Sequence, residues 1–344
     1  MRKIIFFTTV LLAIAIVSCK KKSDTGSQPI PGSKDVYVAG TEYGSGSMHD
    51  VAKYWKNGTA VNLTDGSKDA FAEAIMVTGT DVYVAGGESN GAHKVVKYWK
   101  NGAAMTLTDG TKDAFAQAMF ISGSDIYVAG AEYNGFFNVA KYWKNGTAVS
   151  LSDGTNNQVA FSIMVVGTDV YVAGYEVLSS SASKARYWKN GTAVNLTDGS
   201  KIAGAQSIVI AGTDVYVSGY EYSGTHSVAK YWKNGTAVNL TDGTKDAAAQ
   251  SIVIAGADVY VTGYEYTGSY PIAKYWKNGI TVNLSNGPKE SAGSSIAVAA
   301  TDVYVAGSES NGLKSVAKYW KNGTANNLTD GSKDAIGNAI FVVN

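Results

Sequence analysis

Residues 214–257 read DVYVSGYEYSGTHSVAKYWKNGTAVNLTDGTKDAAAQSIVIAGA, and this stretch is one copy of a repeat that fills most of the chain. Its Val-Tyr dipeptide recurs as Val-Tyr or Ile-Tyr at intervals of about 44 residues, a period typical of repeat architectures. The seven dipeptides begin at residues 36, 82, 126, 170, 215, 259 and 303. Every tryptophan lies in a Tyr-Trp-Lys-Asn-Gly run, at Trp55, Trp99, Trp143, Trp188, Trp232, Trp276 and Trp320. Residues 35–344 therefore consist of seven copies of one unit, with no inserted second domain.

Each copy predicts four short β-strands. Val-Tyr-Val and Lys-Tyr-Trp are runs of β-branched and aromatic residues, which favour strands. Asn-Gly follows the tryptophan and is a strong hairpin signal, because both central residues of a type I′ turn need positive φ. Thr-Ala-Val-Asn-Leu is the third strand and Ser-Ile-Val-Ile is the fourth. Because no segment shows a sustained helical period, we expect an all-β fold.

Four strands in each of seven repeats predict a seven-bladed β-propeller with four antiparallel strands per blade. A parallel β-helix is the alternative, but its rungs are usually shorter and need no Asn-Gly hairpin in every copy. The first copy begins with the Val-Tyr strand, whereas residues 339–344, AIFVVN, match the Ser-Ile-Val-Ile strand of the other copies. We therefore expect the C-terminal strand to complete blade one, which closes the ring and removes two exposed sheet edges.

The blade pattern is Ala-x-x-Trp-x-Asn-Gly-x-x-x-x-Leu, followed by Ala-x-x-Ile and Val-x-Val-x-Gly. Over residues 35–344 this pattern resembles the bacterial extracellular repeats called HAF repeats. The Trp-x-Asn-Gly and Leu spacings agree, whereas Val-Ala-Lys stands here in place of the His-Ala-Phe that names those repeats. The resemblance brings no assigned catalytic activity.

An export signal occupies the N-terminus. Arg2 and Lys3 precede an apolar run that is long enough for a signal peptide and too short to span a membrane comfortably. The run ends in Ile-Val-Ser-Cys, which resembles the lipobox of bacterial lipoproteins and implies cleavage before Cys19 and lipidation of its sulfur. An ordinary signal peptide that ends near a free cysteine is the alternative. Residues 1–18 are thus a predicted signal peptide, and residues 19–34 are the lipidated cysteine with a flexible tether. The Ser-Cys-Lys-Lys-Lys run resembles lipoproteins of Bacteroidota, which implies an outer-membrane lipoprotein that faces the periplasm or the cell surface.

Composition excludes several classes of function. The chain has 29 Lys and Arg residues against 28 Asp and Glu residues, and cleavage removes Arg2 and Lys3. A near-neutral protein gives no electrostatic basis for binding nucleic acid. Cys19 is the only cysteine, so its lipidation leaves no thiol for a disulfide or a thiolate metal site. With three histidines in the chain, we expect neither a metal centre nor another cofactor.

Positions that are the same in every copy are expected to build the blades. We expect the tryptophans to pack between blades, with an aromatic ligand cage as the alternative. The Asp before each Val-Tyr is interpreted as a turn residue. A Glu and a Lys or Arg also recur, and Glu88 is expected to lie directly opposite Lys97 in a cross-strand pair. The Asp-Gly-Ser/Thr-Lys-Asp loops, such as residues 65–69, leave calcium binding open, although the intervening lysine opposes it.

Positions that differ between copies gather on one face of the predicted propeller. The loops between strands on that face vary, whereas the Gly-Thr-Asp and Asn-Gly turns of the opposite face scarcely change. The residues expected to ring the mouth of the central channel are Glu73, Gln117, Phe161, Gln206, Gln250, Ser294 and Asn338. Phe136, Phe137 and Tyr270 in the variable loops are further binding candidates. Aromatic rings with amide and carboxylate groups suit stacking on sugar rings and hydrogen bonds to hydroxyl groups.

Three hypotheses for function follow. The first is a monomeric, non-catalytic binding module that is anchored through Cys19 and recognises a glycan or a protein. The second is a polysaccharide hydrolase or lyase, for which Glu73 beside His49 is the best candidate pair. The third is a structural scaffold without a small ligand. No blade carries a unique acid-base pair, a nucleophile with a nearby base, or a metal cluster, and this favours the first hypothesis.

Overall fold

The computed structural model describes residues 34–44 and 48–343, which form β-strands joined by turns. The predicted signal peptide, Cys19 and the tether up to residue 33 lie outside the described residues, and the predictions for them stay predictions. In the part of the chain that the structure describes, no helical segment has the length and hydropathy needed to span a bilayer.

The strands form seven four-stranded antiparallel sheets, which are the blades. The innermost strands are β4 (Ala70–Thr78), β8 (Ala114–Ser122), β12 (Gln158–Val166), β16 (Ala203–Ala211), β20 (Ala247–Ala255), β24 (Ser291–Ala299) and β28 (Ala335–Val343). The second strands are β1 (Asp35–Glu42), β5 (Asp81–Ser89), β9 (Asp125–Tyr133), β13 (Asp169–Ser179), β17 (Asp214–Tyr222), β21 (Asp258–Thr267) and β25 (Asp302–Ser310). The third strands are β2 (Val51–Lys56), β6 (Lys94–Lys100), β10 (Asn138–Lys144), β14 (Ala182–Lys189), β18 (Ser227–Lys233), β22 (Tyr270–Lys277) and β26 (Ser315–Lys321). The outermost strands are β3 (Thr59–Asn62), β7 (Ala103–Thr106), β11 (Thr147–Ser150), β15 (Thr192–Asn195), β19 (Thr236–Asn239), β23 (Ile280–Asn283) and β27 (Thr324–Asn327).

The ring closes as the sequence predicts. We number the blades 1 to 7 by their second strands, from β1 in blade 1 to β25 in blade 7. Strand β28 pairs antiparallel with β1, from Asp35 opposite Val343 to Glu42 opposite Ala335, so blade 1 contains the last strand of the described residues and the first three. The seven innermost strands contact one another in a closed circle, in which β28 contacts both β24 and β4. The fold is therefore an all-β, seven-bladed propeller.

The Asn-Gly turns have the backbone geometry that the sequence predicts. In the first turn, Asn57 has φ of 50° and Gly58 has φ of 83°, and every other copy repeats this pair of positive angles. The Asn57 side chain also holds the neighbouring strand, because its Oδ1 accepts a 2.8 Å hydrogen bond from the Val36 N–H and its Nδ2 donates to Asp35 Oδ1 at 2.8 Å. The recurrent Asp is therefore more than a turn residue, since it also pairs with Lys56 at 2.9 Å.

The tryptophans form the core between blades, as predicted. Each indole is almost completely buried, and Trp55 of blade 1 packs against Tyr304, Ala317 and Leu328 of blade 7. Truncation of a buried tryptophan to alanine typically costs about 3–5 kcal/mol, so each of these seven interfaces depends on one indole.

The recurrent Glu and Lys or Arg form an ion pair inside each blade, but the predicted register is wrong. Glu88 lies opposite Val95 rather than Lys97, and it reaches the Lys97 amine diagonally across the two strands. The reason is the loop, in which the Asn90 N–H donates to the His93 carbonyl oxygen at 2.9 Å and thereby moves the centre of the hairpin by one residue. Diagonal neighbours on antiparallel strands remain within reach of long side chains.

Candidate functional site

The propeller has two faces of different character. The turn face carries the Asn-Gly turns and the turns that join innermost to second strands. The loop face carries the loops between second and third strands and the connections from one blade to the next. On this loop face, side chains of the inter-blade connections hold the neighbouring loops, and Asp113 Oδ1 accepts a 2.8 Å hydrogen bond from the Lys94 N–H.

The seven channel candidates line one cavity at the centre of the ring, with a volume of about 210 Å³. Each is the fourth residue of its nine-residue innermost strand, so the side chains lie within the channel, below its rim. Each is also the extra residue of a β-bulge, as at Glu73, where the register shifts between Ala72 and Ala74. A bulge leaves its extra residue unpaired and re-aims the side chain, which accounts for the inward direction of these seven groups.

Glu73 is the one ionisable side chain among the described residues that line this channel. The residue is half-buried, and the surrounding protein desolvates its carboxyl and raises its pKa from 4.5 to about 8. A channel with this group is therefore largely uncharged at neutral pH. Two other channel residues are fixed by contacts, since Asn338 Nδ2 donates to the Ala72 carbonyl oxygen at 2.9 Å and Phe161 stacks on Tyr175 with ring centroids 5.5 Å apart.

The three aromatic loop candidates lie apart from the channel. Phe136 is 81% exposed, whereas Phe137 is half-buried, and neither residue is among the described residues that line the channel. Asn134 Oδ1 holds this loop by accepting hydrogen bonds from the N–H groups of Phe136 at 2.9 Å and Phe137 at 2.8 Å. Tyr270 was expected in a loop but is the first residue of β22, where it pairs with Thr267. The predicted candidates thus form one channel group and separate aromatic positions.

Glu73 and His49, the predicted acid-base pair, each have other surroundings among the described residues. His49 Nδ1 lies 2.9 Å from Asp69 Oδ1, a residue of the connection to the next blade. The pKa of Glu73 is raised by burial, and no neighbouring described charge contributes. The two residues have different surroundings, and their pairing as acid and base stays a prediction. His49 lies in a surface loop, and Glu73 lies inside the channel.

The two acids of the Asp-Gly-Ser/Thr-Lys-Asp loops hold backbone groups in separate places. Asp65 Oδ1 accepts a 2.9 Å hydrogen bond from the Ser67 N–H, which shapes its own loop. Asp69 Oδ1 accepts from the Asp50 N–H at 3.1 Å and thereby links the loop to the preceding hairpin. Within residues 34–44 and 48–343, no group of three His, Cys, Asp or Glu side chains is arranged to hold a metal ion.

A cleft on the loop face contains residues that the sequence reasoning missed. It lies between blades 5 and 6, has a volume of about 390 Å³, and is lined by Tyr220, Tyr264 and Tyr266. The signal was present in the comparison of copies, at the position after the glycine of each second strand. The residues there are Thr41, Gly87, Ala131, Tyr175, Tyr220, Tyr264 and Ser308. This position is as variable as the channel ring, and it changes between small and aromatic side chains.

Comparison with known proteins supports the fold. No family profile matches the chain, and no curated protein matches it in sequence, so the resemblance to HAF repeats stays an interpretation of the motif. Among solved structures, it is similar to a puromycin-hydrolyzing peptidase of Mycobacterium tuberculosis, with a TM-score of 0.58 and 11% identity over 81% of this chain and 50% of that chain. It is also similar to the acylaminoacyl peptidase of Pyrococcus horikoshii, with a TM-score of 0.51 and 14% identity over 86% of this chain and 50% of that one.

A third solved structure is a propeller domain by itself. The β-propeller domain of the Trilobed protease from Pyrococcus furiosus has a TM-score of 0.52 and 10% identity over 86% of this chain and 95% of that chain. That domain has an open velcro topology, whereas β28 and β1 pair along their length here. The chain thus spans about half the length of the two peptidases, and the likeness concerns the propeller fold.

Proposed function

We propose that this propeller is a membrane-anchored, non-catalytic module that binds a glycan on its loop face. The observation that carries the proposal is the contrast between copies. The turn face and the inter-blade core repeat in every blade, whereas the channel ring combines amides, a hydroxyl, a carboxyl and one phenyl ring. Residues that serve blade geometry alone can be the same in all blades, so side chains that differ around one cavity are the candidates for ligand contacts.

The chemistry of the channel suits a neutral, hydroxyl-rich ligand. The amides of Gln117, Gln206 and Gln250 can both donate and accept hydrogen bonds, as sugar hydroxyl groups require. Glu73 is protonated over much of the neutral range, because its pKa is about 8, and it can then also donate. A charged ligand would find no opposite charge in this cavity at neutral pH. A protein ligand is therefore the second choice.

The described chain enters the propeller on the turn face, opposite the proposed binding face. Lys34 donates through Nζ to the carbonyl oxygen of Ala299, which lies at the end of an innermost strand on the turn face. Strand β1 begins on the same face, beside the first Asn-Gly turn. We propose that lipidated Cys19 anchors the protein in the outer membrane, with the tether joined to the turn face. The loop face would then be open to a ligand.

Catalysis is the second candidate function because of one side chain, the Glu73 carboxyl. A carboxyl with a pKa of about 8 can act as a general acid at neutral pH. Acid-base catalysis also needs a second titratable group in a different environment, and Glu73 is alone among the described channel residues. We therefore favour binding over catalysis.

A glycan array probed with the purified full chain tests the proposal. We expect selective binding to one class of glycan, and we expect Phe161→Ala, Gln206→Ala and Phe137→Ala each to weaken it without changing the melting temperature. Ile280→Ala is the matched control, because this residue is 72% exposed at the start of an outermost strand on the turn face. Full affinity in the three variants, or an effect of Ile280→Ala equal to theirs, would contradict the assigned face. Binding to no glycan on the array would refute the proposal and favour a protein ligand or a scaffold.

A further inference from the structure

We propose that the cleft between blades 5 and 6 is a separate subsite for one sugar ring, with Tyr220, Tyr264 and Tyr266 as its walls. The proposal takes its ligand class from the proposed function, but it uses none of the seven channel residues. Its remaining lining comes from Ile202, Ser227, Asp246, Ala247 and Ala248. A cleft of about 390 Å³ is within the range of small-molecule sites.

The tyrosine rings form a corner. Tyr264 and Tyr266 have ring centroids 6.1 Å apart and an interplanar angle of 74°, so the two rings stand nearly at right angles. Tyr220 reaches the same cleft from the neighbouring blade, and it is half-buried like Tyr264. The small side chains of Ala247 and Ala248 keep the floor of the cleft open. An apolar ring face can therefore lie against an aromatic wall from inside the cleft.

The polar groups of the cleft are available to a ligand. Burial raises the pKa of the Tyr220 and Tyr264 phenols, and no side-chain hydrogen bond from a described residue contributes to either pKa. Asp246 is fixed in place, because its Oδ1 accepts a 2.8 Å hydrogen bond from the Ser227 N–H and its Oδ2 lies 3.4 Å from His226 Nδ1. A carboxylate held in this way can accept from ligand hydroxyl groups through its remaining lone pairs.

The seven copies show that the tyrosines are not needed for folding. The equivalent cleft of blade 7 has a volume of about 330 Å³, and its lining contains Ser308 and Ser310 where blade 6 has Tyr264 and Tyr266. The same backbone therefore forms with serines in place of both rings. A structural demand of the propeller would apply to both blades alike.

The aromatic rings near the loop face come from different strands in different blades. In blade 5, Tyr220 on the second strand lies opposite Gly204, and a Cβ on Gly204 would approach the Tyr220 ring to 3.0 Å. In blade 2 the arrangement is reversed, because Phe71 on the innermost strand lies opposite Gly87, where a Cβ would come within 2.5 Å of the Phe71 ring. A large side chain on either strand thus coincides with a small partner. The rings of blades 2 and 5 thus come from different strands, whereas blade 7 has Ala292 opposite Ser308 and no ring at this pair.

A neutral sugar fits these groups better than a cation. Tyrosine faces can hold quaternary ammonium ions, and Asp246 would add an opposite charge. Such a cation has no hydrogen-bonding group to meet the free phenol hydroxyls, which a sugar would satisfy. The structure therefore favours a pyranose ring, and the ammonium ion becomes an outcome of the test.

The test is calorimetric titration of the full chain with laminarihexaose, cellohexaose and maltohexaose. Wild-type protein is expected to bind at least one of the three. Tyr264→Phe should weaken that binding by about three- to tenfold through loss of one hydrogen bond. Tyr266→Ala should weaken it by about fivefold or more through loss of an aromatic wall. The matched control is Ser308→Ala with Ser310→Ala, which alters the equivalent cleft of blade 7 and should leave the affinity unchanged.

The outcomes separate this subsite from the channel. If the tyrosine variants keep full affinity while Gln206→Ala weakens binding, the subsite is refuted and the proposed function stands. If none of the three hexasaccharides binds, the subsite is refuted, and the glycan array decides the proposed function on its own. Titration with tetramethylammonium is the last arm. Binding that Tyr264→Phe leaves intact and Tyr266→Ala abolishes would replace the sugar assignment by a cation site.

Discussion

Replacement of Glu73 by glutamine should make the protein more stable at alkaline pH. The folded-state pKa of this carboxyl is about 8, above its ordinary value of 4.5, because the channel desolvates it. Below the unfolded-state pKa the carboxyl is protonated in both states, and the fold has its full stability. This stability falls as the pH rises, and the loss is complete above the folded-state pKa. Between these two values the native state holds one proton more than the unfolded state, so the free energy of unfolding falls with rising pH. Glutamine has the same shape and no such dependence.

The size of the effect follows from the interval between the two pKa values. Each pH unit within it costs about 1.4 kcal/mol, so the interval from 4.5 to about 8 amounts to about 5 kcal/mol. This figure is an upper bound, because the half-buried side chain retains contact with channel water. The carboxylates of the surface ion pairs do not contribute in this range, since their pKa values are lowered from 3.8, as for Asp35 and Asp81.

Urea unfolding followed by tryptophan fluorescence measures this difference, because all seven indoles are buried in the folded state. The free energy of unfolding of the wild type minus that of Glu73→Gln should fall between about pH 5 and pH 8 and then level off. The matched control is the double variant Glu73→Gln with Gln117→Glu, which moves the carboxyl to the same place in the next blade and should restore the dependence. Parallel pH profiles for wild type and Glu73→Gln would refute the assigned burial of this group.

Three further predictions concern anchoring, closure and turns. Cys19→Ser should abolish labelling by a fatty acid and release the protein from the membrane fraction, and equal labelling of the variant would refute lipidation. Deletion of residues 338–344 should unfold or oligomerise the domain, because it removes most of β28 from blade 1, and a truncated monomer with an unchanged melting temperature would contradict ring closure. Asn234→Ala should cost about 2–3 kcal/mol in urea unfolding, since alanine at φ of 51° is strained and two side-chain hydrogen bonds are lost, while an effect below about 0.5 kcal/mol would contradict that reasoning.

The fold could be predicted from the sequence because its determinants repeat. A single Asn-Gly pair is a local signal, but the same pair after Trp55 and after each later tryptophan fixes one hairpin per blade. Ring closure was predictable for the same reason, since residues 339–344 match a strand that the first copy lacks. The position of Glu88 relative to Lys97 could not be predicted in the same way, because a one-residue change in the centre of a loop moves the strand register by two residues.

The candidate site could be predicted only in part. Variation among copies identified the channel ring, but its depth depends on a bulge at each innermost strand, and a bulge has no marker in this sequence. The tyrosine cleft was missed because its pattern joins two positions on different strands, such as Tyr220 and Gly204. Each position alone looks like neutral surface variation. Only the strand pairing shows that a large side chain on one accompanies a small one on the other.

The pairing of β28 with β1 also sets the order in which the molecule can be completed. Blade 1 contains β1, β2 and β3, and their partner β28 is translated after twenty-four further strands of the described residues. Contacts between such distant segments form slowly, because a long loop must close before they are gained. Blades 2 to 7 are each contiguous and can assemble as they are made. A chain whose translation stops before β28 is thus left with an unpaired edge on β1, so a closed ring shows that translation passed β28.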